Sequence, residues 1–302
     1  MSLLVVGSVA FDNVKTSCGS AEEVLGGSAT YCAYAASFFG PTRIASPVGE
    51  DMPEAYLEEL REHNIDVTGV RVVPGGKTLR WSGRYSDSFL ERATEDIQLN
   101  VFADYDTTLP DEYLDSEYVF LANGAPETQR AVLDQLPDRK LAFLDTINHW
   151  IEGSRGAVLD VVGRVDGLVV NDEEARLLTG EPNLLTAARR LAGLGPQIVV
   201  IKKGEHGAIL VADGKPFALH AWMTEDVRDP TGAGDCFGGA LMGTIAGRDD
   251  RSLATIKAGI VYGTVLASFC IEDFSLDGLR RVTMDDVERR REELLGMIGW
   301  HE

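Results

Sequence analysis

Residues 229–239 read Asp229-Pro-Thr-Gly-Ala-Gly-Asp-Cys-Phe-Gly-Gly239, and they lead into the apolar segment Ala240-Leu-Met-Gly-Thr-Ile-Ala246. The pattern predicts a buried helix whose first turn exposes the backbone amides of Gly232, Ala233 and Gly234. Free amides and the positive end of a helix dipole attract anions. We expect Asp235, inside this turn, to stay ionised at neutral pH. An anion cradle beside a carboxylate suits phosphoryl transfer to an alcohol, because Asp235 can take the hydroxyl proton.

Other glycine-rich motifs fit this stretch less well. The chain contains no Gly-x-x-x-x-Gly-Lys followed by Ser or Thr, so a Walker A loop is excluded. The spacing Gly232-x-Gly234-x-x-x-Gly238 differs from the Gly-x-Gly-x-x-Gly of dinucleotide-binding folds. A plain strand-to-helix connection, with glycines that only permit close packing, stays open as an alternative.

Composition narrows the class of protein. The chain has 302 residues, 44% of them apolar, and a formal net charge of −20. Such a charge argues against nucleic acid or an anionic membrane as a partner. No apolar run reaches the ~18 residues of a membrane span, and we expect no secretory leader. The cysteines Cys18, Cys32, Cys236 and Cys270 are scattered, which is typical of reduced thiols in a cytoplasmic protein.

Apolar strand patterns alternate with helix patterns along most of the chain. This alternation predicts an α/β body with a mainly parallel central sheet covered by helices on both faces. One helix is expected to be capped by Asp51, just before Pro53.

The region 67–103 lacks a helix pattern and shows short strands at Val70–Val73, Thr78–Tyr85 and Ile97–Phe102. Together with about 12–24, it is expected to form a small antiparallel β-sheet that covers a cleft as a lid. The lid would be inserted into a single domain of residues 1–302. An edge extension of the main sheet is the alternative.

Two further stretches are consistent with kinase chemistry. Asn171-Asp-Glu-Glu174 follows a strand, where its oxygens could hold Mg²⁺ through water, although a helix N-cap explains the same residues. Lys202-Lys203-Gly204-Glu205-His206-Gly207 predicts a tight turn between two strands that could approach a nucleotide, or a plain hairpin. In the lid, strand alternation sends some of Arg80, Trp81, Arg84, Tyr85 and Arg92 toward the cleft.

Four motifs in the same order resemble the ribokinase-like (PfkB-type) carbohydrate kinase family, over nearly the whole chain. They are Gly26-Gly27 followed by a small-residue helix ending at Gly40, Asn171 with Glu174, Gly204 with Gly207, and Asp229–Asp235 with Pro230 in its second place. The resemblance implies a ribokinase-like three-layer α/β/α body with a β lid, and ATP-dependent phosphorylation of a hydroxyl group.

The resemblance also implies roles for individual residues. Asp235 would be the base, and Gly232, Ala233 and Gly234 the anion hole. The substrate would meet Asp12, Gly26, Gly27, Tyr31, Trp81 and Arg92. ATP would meet Asn171, Lys203, Gly204, Gly207 and Thr231, with Glu174 positioning Mg²⁺ and Asp229 near a monovalent cation such as K⁺. The lid often forms a homodimer contact in this family.

The substrate is the least determined part of this expectation. Family members commonly carry Asn where this chain has Tyr31, and that Asn contacts sugar hydroxyls. A sugar or sugar-like polyol is our first expectation, and a nucleoside of the adenosine or guanosine type is the alternative, since Tyr31 and Trp81 could line a base pocket. A non-catalytic sugar or nucleotide sensor is a third hypothesis, which the presence of Asp235 disfavours.

Overall fold

The computed structural model describes residues 2–89 and 91–299. Its main feature is a nine-stranded sheet in the order β13-β12-β11-β10-β9-β8-β1-β4-β5. These strands are β1 (Leu3–Val6), β4 (Thr42–Gly49), β5 (Ile65–Val73), β8 (Tyr118–Leu121), β9 (Leu141–Asp145), β10 (Gly167–Asn171), β11 (Ile198–Lys202), β12 (Ala208–Ala212) and β13 (Lys215–Leu219). Every pair from β5 to β11 is parallel, and β12 and β13 add an antiparallel edge.

Helices cover both faces of this sheet. They are α1 (Ser28–Ser37), α2 (Glu54–Glu62), α3 (Pro126–Gln135), α4 (Asn148–Val162), α5 (Asp172–Thr179), α6 (Leu184–Ala192), α7 (Ala233–Arg248), α8 (Leu253–Cys270), α9 (Asp277–Arg280) and α10 (Met284–Ile298). Short 3₁₀ turns lie at Asn100–Phe102, Asp111–Tyr113 and Gly204–His206.

Strand alternation divides the interior into two apolar cores. Leu3 and Val5 pack with α1, α7 and α8 on one face, whereas Leu4 and Val6 pack with α3 to α6 on the other. Successive side chains of a strand point to opposite faces, so a strand between two helix layers must be apolar at every position. The predicted three-layer α/β/α body is confirmed.

A four-stranded sheet, here called the lid, has the order β3-β2-β6-β7. Its strands are β2 (Ala10–Thr16), β3 (Gly19–Gly26), β6 (Leu79–Tyr85) and β7 (Arg92–Gln98). The two outer pairs are antiparallel, as expected, and the central pair β2–β6 is parallel. A parallel centre follows from topology, because β2 and β6 each enter the lid from the body in the same direction.

Three local expectations need correction. Ile97–Phe102 is not one strand, because β7 ends at Gln98 and Asn100–Phe102 forms a 3₁₀ turn. Val70–Val73 is the end of β5, which pairs with β4 at the edge of the large sheet and not with the lid. The reason is that Ile65 and Val67 begin the strand inside the main core. Asp51 does not cap α2, whose N-cap is Pro53. Its carboxylate accepts hydrogen bonds from the amide and hydroxyl of Thr78 and from Arg80, which ties the lid to the body.

Glycines set the position of α7. A Cβ on Gly239 would lie 2.0 Å from the Cys32 carbonyl oxygen, and one on Gly243 would lie 2.8 Å from the Ala36 carbonyl oxygen. Helices α1 and α7 therefore approach along their backbones, which only residues without a side chain permit. This contact fixes where the N-terminus of α7 meets the sheet.

One helix, α8, is long and apolar enough to cross a membrane by length and composition. Most of it is buried against the rest of the protein, including α7. It is accounted for as a core helix of the three-layer body.

Candidate active site

The N-terminus of α7 forms the predicted anion-binding turn. Gly232 is the N-cap and has φ 79°, in the left-handed region that favours glycine. A Cβ at this position would lie 2.4 Å from the ring of Tyr31. Both the backbone angle and the neighbouring ring therefore require glycine, and the helix begins at Ala233 as expected.

The amides of this turn differ from the expectation at one position. The Ala233 amide donates to the Pro230 carbonyl oxygen at 3.2 Å, so it is already used. Within residues 2–89 and 91–299, the amides of Gly232 and Gly234 have no protein acceptor. The left-handed Gly232 folds the turn back on Pro230, which consumes one amide and leaves two for an anion.

Asp235 stands half-buried in this turn. Burial raises its pKa to about 7, and the nearby Asp145 carboxylate adds to the effect, while Lys202 opposes it. The expectation that Asp235 stays ionised at neutral pH is therefore only half met, because burial and a like charge bring its pKa into that range. A pKa near the operating pH is what general-base catalysis favours.

Asp12 and the Gly26-Gly27 pair lie together at the base of the lid. A Cβ on Gly26 would lie 2.0 Å from Asp12 Oδ2, and the Gly27 amide donates to the same oxygen at 3.4 Å. Gly27 has φ 95° and is the N-cap of α1. Burial raises the pKa of Asp12 to about 7. The glycines thus leave room for a carboxylate that can receive substrate hydroxyl protons in hydrogen bonds.

Tyr31 is only 1% exposed, so it does not line an open pocket. Its ring lies beneath Gly232, and its hydroxyl group has no hydrogen-bond partner among the described residues. Burial raises its pKa well above the ordinary value, and Asp12 and Asp229 act in the same direction. The hydroxyl group is buried as well, so Tyr31 offers no exposed surface to a nucleoside base.

Strand register decides which lid residues face the cleft. Trp81 is directly opposite Asp12 on β2, and Arg92 is opposite Tyr85, which places all four on one face of the lid. Tyr85 accepts a hydrogen bond from Thr231 Oγ1 at 3.2 Å, so this face meets the anion turn.

Arg80 and Arg84 are on the other face of the lid. Arg80 pairs there with Glu23 and Asp51, and Arg84 pairs with Glu95.

Arg92 and Trp81 contact each other on the cleft side. The Arg92 guanidinium carbon lies 5.6 Å from the centroid of the Trp81 ring. Burial raises the pKa of Asp12 and of Asp235, and the Arg92 charge opposes this rise slightly at both carboxyl groups. On the lid side the cleft therefore presents a cation and an aromatic ring, close to the carboxyl groups of Asp12 and Asp235.

Asn171 and Glu174 form a capping box at the start of α5. Asn171 Oδ1 accepts from the Glu174 amide at 2.8 Å, and Glu174 Oε2 accepts from the Asn171 amide at 2.7 Å. The helix-cap alternative is therefore present in the structure. Burial, with the Asp145 charge, raises the pKa of Glu174 to about 8.

The predicted nucleotide turn is tight, and its residues differ in role. The Lys203 amide donates to the Gly207 carbonyl oxygen at 2.7 Å. Gly207 has φ 80°, and a Cβ there would lie 2.0 Å from the Leu219 carbonyl oxygen, so this glycine is required by packing. Gly204 has φ 52°, is exposed and has nothing within 4 Å of its Cβ position.

Asp229 is 1% exposed at the entry of the anion turn. Its Oδ1 accepts from the Thr231 amide at 2.9 Å, whereas its Oδ2 is buried without a hydrogen-bond partner among the described residues. Burial raises the pKa of this carboxyl group. An unpartnered buried carboxylate oxygen is an unusual feature that a bound cation would explain.

Sequence reasoning missed Asp145 and Lys202. Lys202 Nζ lies 2.7 Å from Asp145 Oδ2, and the two side chains are 17% and 6% exposed. Alternation along the strands could have found them. Ile198 and Val200 face α7, so Lys202 does too, and Asp145 follows Leu141 and Phe143 on the same side. Lys202 and not Lys203 therefore approaches the anion turn.

The comparisons with known proteins agree with this geometry. Residues 109–276 match the model of the pfkB family carbohydrate kinases. A cytidine kinase of Thermococcus kodakarensis is 31% identical over 255 residues, which cover 82% of this chain and 90% of that protein. A 2-dehydro-3-deoxygluconokinase of Thermoproteus tenax is 28% identical over 271 residues and 80% of each chain.

Solved structures support the fold. A ribokinase of Arabidopsis thaliana, complexed with ribose and ATP, superposes with a TM-score of 0.77 over 96% of this chain and 98% of that chain, at 19% identity. The family match covers more than half of the chain, and the cytidine kinase relative is more than 30% identical over more than two thirds of it. This chain therefore belongs to the pfkB family of carbohydrate kinases, as an ATP-dependent kinase of sugars or nucleosides.

Proposed function

We propose that this protein transfers the γ-phosphoryl group of ATP to a ribose hydroxyl of a nucleoside, with Asp235 as the base. The acceptor oxygen bonds to the γ-phosphorus while the bond from phosphorus to the bridging oxygen breaks. The electron pair leaves with ADP, and the hydroxyl proton passes to Asp235. The open amides of Gly232 and Gly234 receive the phosphoryl oxygens, where preorganised donors are most effective.

The observation that carries the choice of a nucleoside is the register of the lid. Asp12, Trp81 and Ile97 stand side by side on neighbouring strands and share the cleft-facing side. Ile97 is 51% exposed, so this side offers apolar surface next to a carboxylate. A ribose at Asp12 would bring an attached base against Trp81, and aromatic side chains stack well on bases. The cytidine kinase relative supports the same choice.

A free sugar or sugar-like polyol, our first expectation from the sequence, is the second candidate. Arg92 reaches the site from the lid, and a guanidinium group recognises carboxylates well. The 2-dehydro-3-deoxygluconokinase relative supports a sugar acid in particular. Both candidates would be phosphorylated on a hydroxyl group by the same mechanism. They differ in the group attached to the reacting sugar, a base in a nucleoside and a carboxylate in a sugar acid.

The residues at the sheet edge suit the ions that such a reaction uses. Glu174 uses Oε2 in its capping box, which leaves Oε1 to accept from water on Mg²⁺, and Asn171 lies beside it. When bound, Mg²⁺ would neutralise phosphate charge. The unpartnered Oδ2 of Asp229 suits a monovalent cation such as K⁺. Lys203, Gly204, Gly207 and Thr231 keep their proposed place along the nucleotide.

The assembly and location are also proposals. Residues on the outer face of the lid, among them Asn13, Lys15 and Glu95, line a hollow that a second copy could occupy, as in a homodimer. Light scattering tests this, and a monomeric mass at every concentration would contradict it. The scattered cysteines support a cytoplasmic location, and the acidic charge disfavours nucleic acid as a partner.

The deciding experiment is an ADP-release assay with cytidine, adenosine, guanosine, ribose, 2-dehydro-3-deoxygluconate and a polyol as acceptors. We expect turnover with at least one nucleoside and much less with the free sugars. Turnover with sugars alone would replace the nucleoside by the second candidate. Nucleoside or sugar binding without any turnover would support the sensor hypothesis and reject catalysis.

A further inference from the structure

Lys202 and Asp145 form a buried ion pair at the carboxyl edge of the large sheet, on the side of α7. Lys202 ends β11 and stands in register with Asn171 on β10, and Asp145 ends β9 on the other side of β10. With an N–O distance of 2.7 Å and little exposure, the pair is held in one geometry. A buried pair of this kind is weak evidence for stability alone, because desolvation offsets the attraction.

The Lys202 ammonium group lies directly against the anion turn. A Cβ placed on Gly234 would come within 3.0 Å of Lys202 Nζ. The Gly234 amide is one of the two open amides of that turn within the described residues. A full positive charge therefore adjoins the partial charges of the helix N-terminus.

The charge of Lys202 is maintained by its surroundings. Burial alone would lower the pKa of its ammonium group, but Asp145, Glu174 and Asp235 together raise it above the ordinary value. Lys202 is thus protonated throughout the neutral range. It can attract an anion but cannot act as a base.

We propose that Lys202 is a catalytic residue that contacts the transferred phosphoryl group, and that Asp145 is the positioning residue that holds it beneath Gly234. This inference rests on the proposed function, because the group that Lys202 contacts is the phosphoryl group transferred in that reaction. An ammonium group has three donors, so Lys202 can keep Asp145 with one and offer another to a phosphoryl oxygen. Charge spreads over those oxygens during transfer, where a fixed cation is most effective.

The step leaves Lys202 unchanged in protonation. The oxygen–phosphorus bond forms to the acceptor, the bond to ADP breaks with its electron pair, and Asp235 receives the acceptor proton. Lys202 only balances charge on the moving group. Asp145 in turn prevents the lysine from pairing with Asp235, which must stay available as the base.

Lys215 provides a matched control on the same sheet. It is exposed at the start of β13 and pairs with Ala212, which lies opposite Ile198 at the far end of β11 from Lys202. Lys202→Met is expected to lower kcat at least ~10²-fold with the acceptor KM changed less than ~3-fold, in line with loss of one preorganised donor. Lys215→Met is expected to stay within ~3-fold of the wild type. Asp145→Asn should lower kcat by about 10-fold, because the cation stays but is less fixed.

Equilibrium binding tests the contact without any acceptor. We expect the wild type to bind AMP-PNP more tightly than ADP, and Lys202→Met to lose about 10-fold of that preference while ADP affinity stays within ~3-fold. This readout stands even if no acceptor is turned over, so it separates the lysine contact from the nucleoside proposal. An ion pair with a purely structural role would not change the preference.

Folding is controlled by circular dichroism and by a second variant. Lys202→Met could unfold because it leaves Asp145 unpaired. In that case the double variant Lys202→Met/Asp145→Asn, which removes both charges, is used in the same assays instead of the single variant. The proposal is overturned if the folded variant keeps the AMP-PNP preference, or if its kcat falls no further than that of Lys215→Met.

Discussion

The hydroxyl group of Tyr85 in the lid accepts a hydrogen bond from Thr231 Oγ1 in the anion turn, at 3.2 Å. The two residues are far apart in the chain, and this contact joins the cleft-facing side of the lid to the start of α7. Arg92 lies opposite Tyr85 on the neighbouring strand. The lid is therefore connected to the turn where we place the phosphoryl group, in addition to covering the substrate.

We expect Tyr85→Phe to weaken that connection. The acceptor KM should rise a few-fold, because one neutral hydrogen bond contributes about 0.5–1.5 kcal/mol. The affinity for ADP should change little. Initial-rate kinetics with varied acceptor check this, with Tyr56→Phe on α2 as the control. An unchanged acceptor KM would mean that the lid closes without this bond.

Asp235→Asn should lower kcat by at least ~10²-fold, the lower range for positioned acid–base catalysis, with little effect on ATP affinity. In the wild type, kcat/KM should rise as pH increases through about 7, because the base must lose its proton and burial holds its pKa there. Asp213→Asn, in an exposed hairpin turn at φ 49° where Asn is well tolerated, is the control. Near-normal turnover in Asp235→Asn would reject the base assignment.

Ionised Asp235 is needed for activity, but it should lower the free energy of unfolding. Its pKa rises from an ordinary 3.8 to about 7 on folding, so the folded protein binds the proton more tightly than the unfolded chain. Below about pH 4 both states are protonated and Asp235 is neutral in each. Between about pH 4 and 7 the unfolded chain loses this proton while the folded protein keeps it, so rising pH increasingly opposes folding. Above about 7 both states are ionised and the penalty is constant.

Asparagine mimics the neutral acid, so Asp235→Asn should exceed the wild type in stability at pH 8 by at least about 1 kcal/mol, and by less at pH 5. Urea unfolding of the ligand-free protein at the two pH values measures the difference. If Asp235→Asn is more stable than the wild type by the same amount at both pH values, ionisation of Asp235 does not destabilise the folded protein.

Several of these features could be predicted from the sequence, and the limits have physical reasons. The apolar strands and the Asp229–Asp235 stretch predicted the three layers and the α7 turn, because both follow from local pattern. Lys202 was also within reach, since its parity along β11 equals that of Val200. The raised pKa of Asp235 could not be predicted, because it depends on burial and on the charge of Asp145, and both arise only when the sheet and α7 pack together. The parallel β2–β6 pair likewise depends on long-range topology.

Gly232→Ala should destabilise the protein by about 2–4 kcal/mol, from left-handed backbone strain and from contact with the Tyr31 ring. Gly204→Ala is the matched control, since it also has a positive φ but nothing within 4 Å of its Cβ position. It should cost only about 1 kcal/mol, the strain alone. Equal losses in urea unfolding would show that Tyr31 moves aside without cost.

Trp81→Ala separates the two candidate acceptors. If the base of a nucleoside stacks on this ring, the nucleoside KM should rise at least ~10-fold, since base–aromatic stacking is worth about 1–3 kcal/mol per base. The KM for ribose, which ends at Asp12, should change less than ~3-fold. Trp222→Ala is the control, because Trp222 contacts Arg290, on α10.

Equal effects on both acceptors would mean that Trp81 acts on the lid as a whole, through its contact with Arg92 and its hydrogen bond to Thr94. In that case the base must be recognised elsewhere, and the register of Asp12, Trp81 and Ile97 would no longer favour a nucleoside over a free sugar.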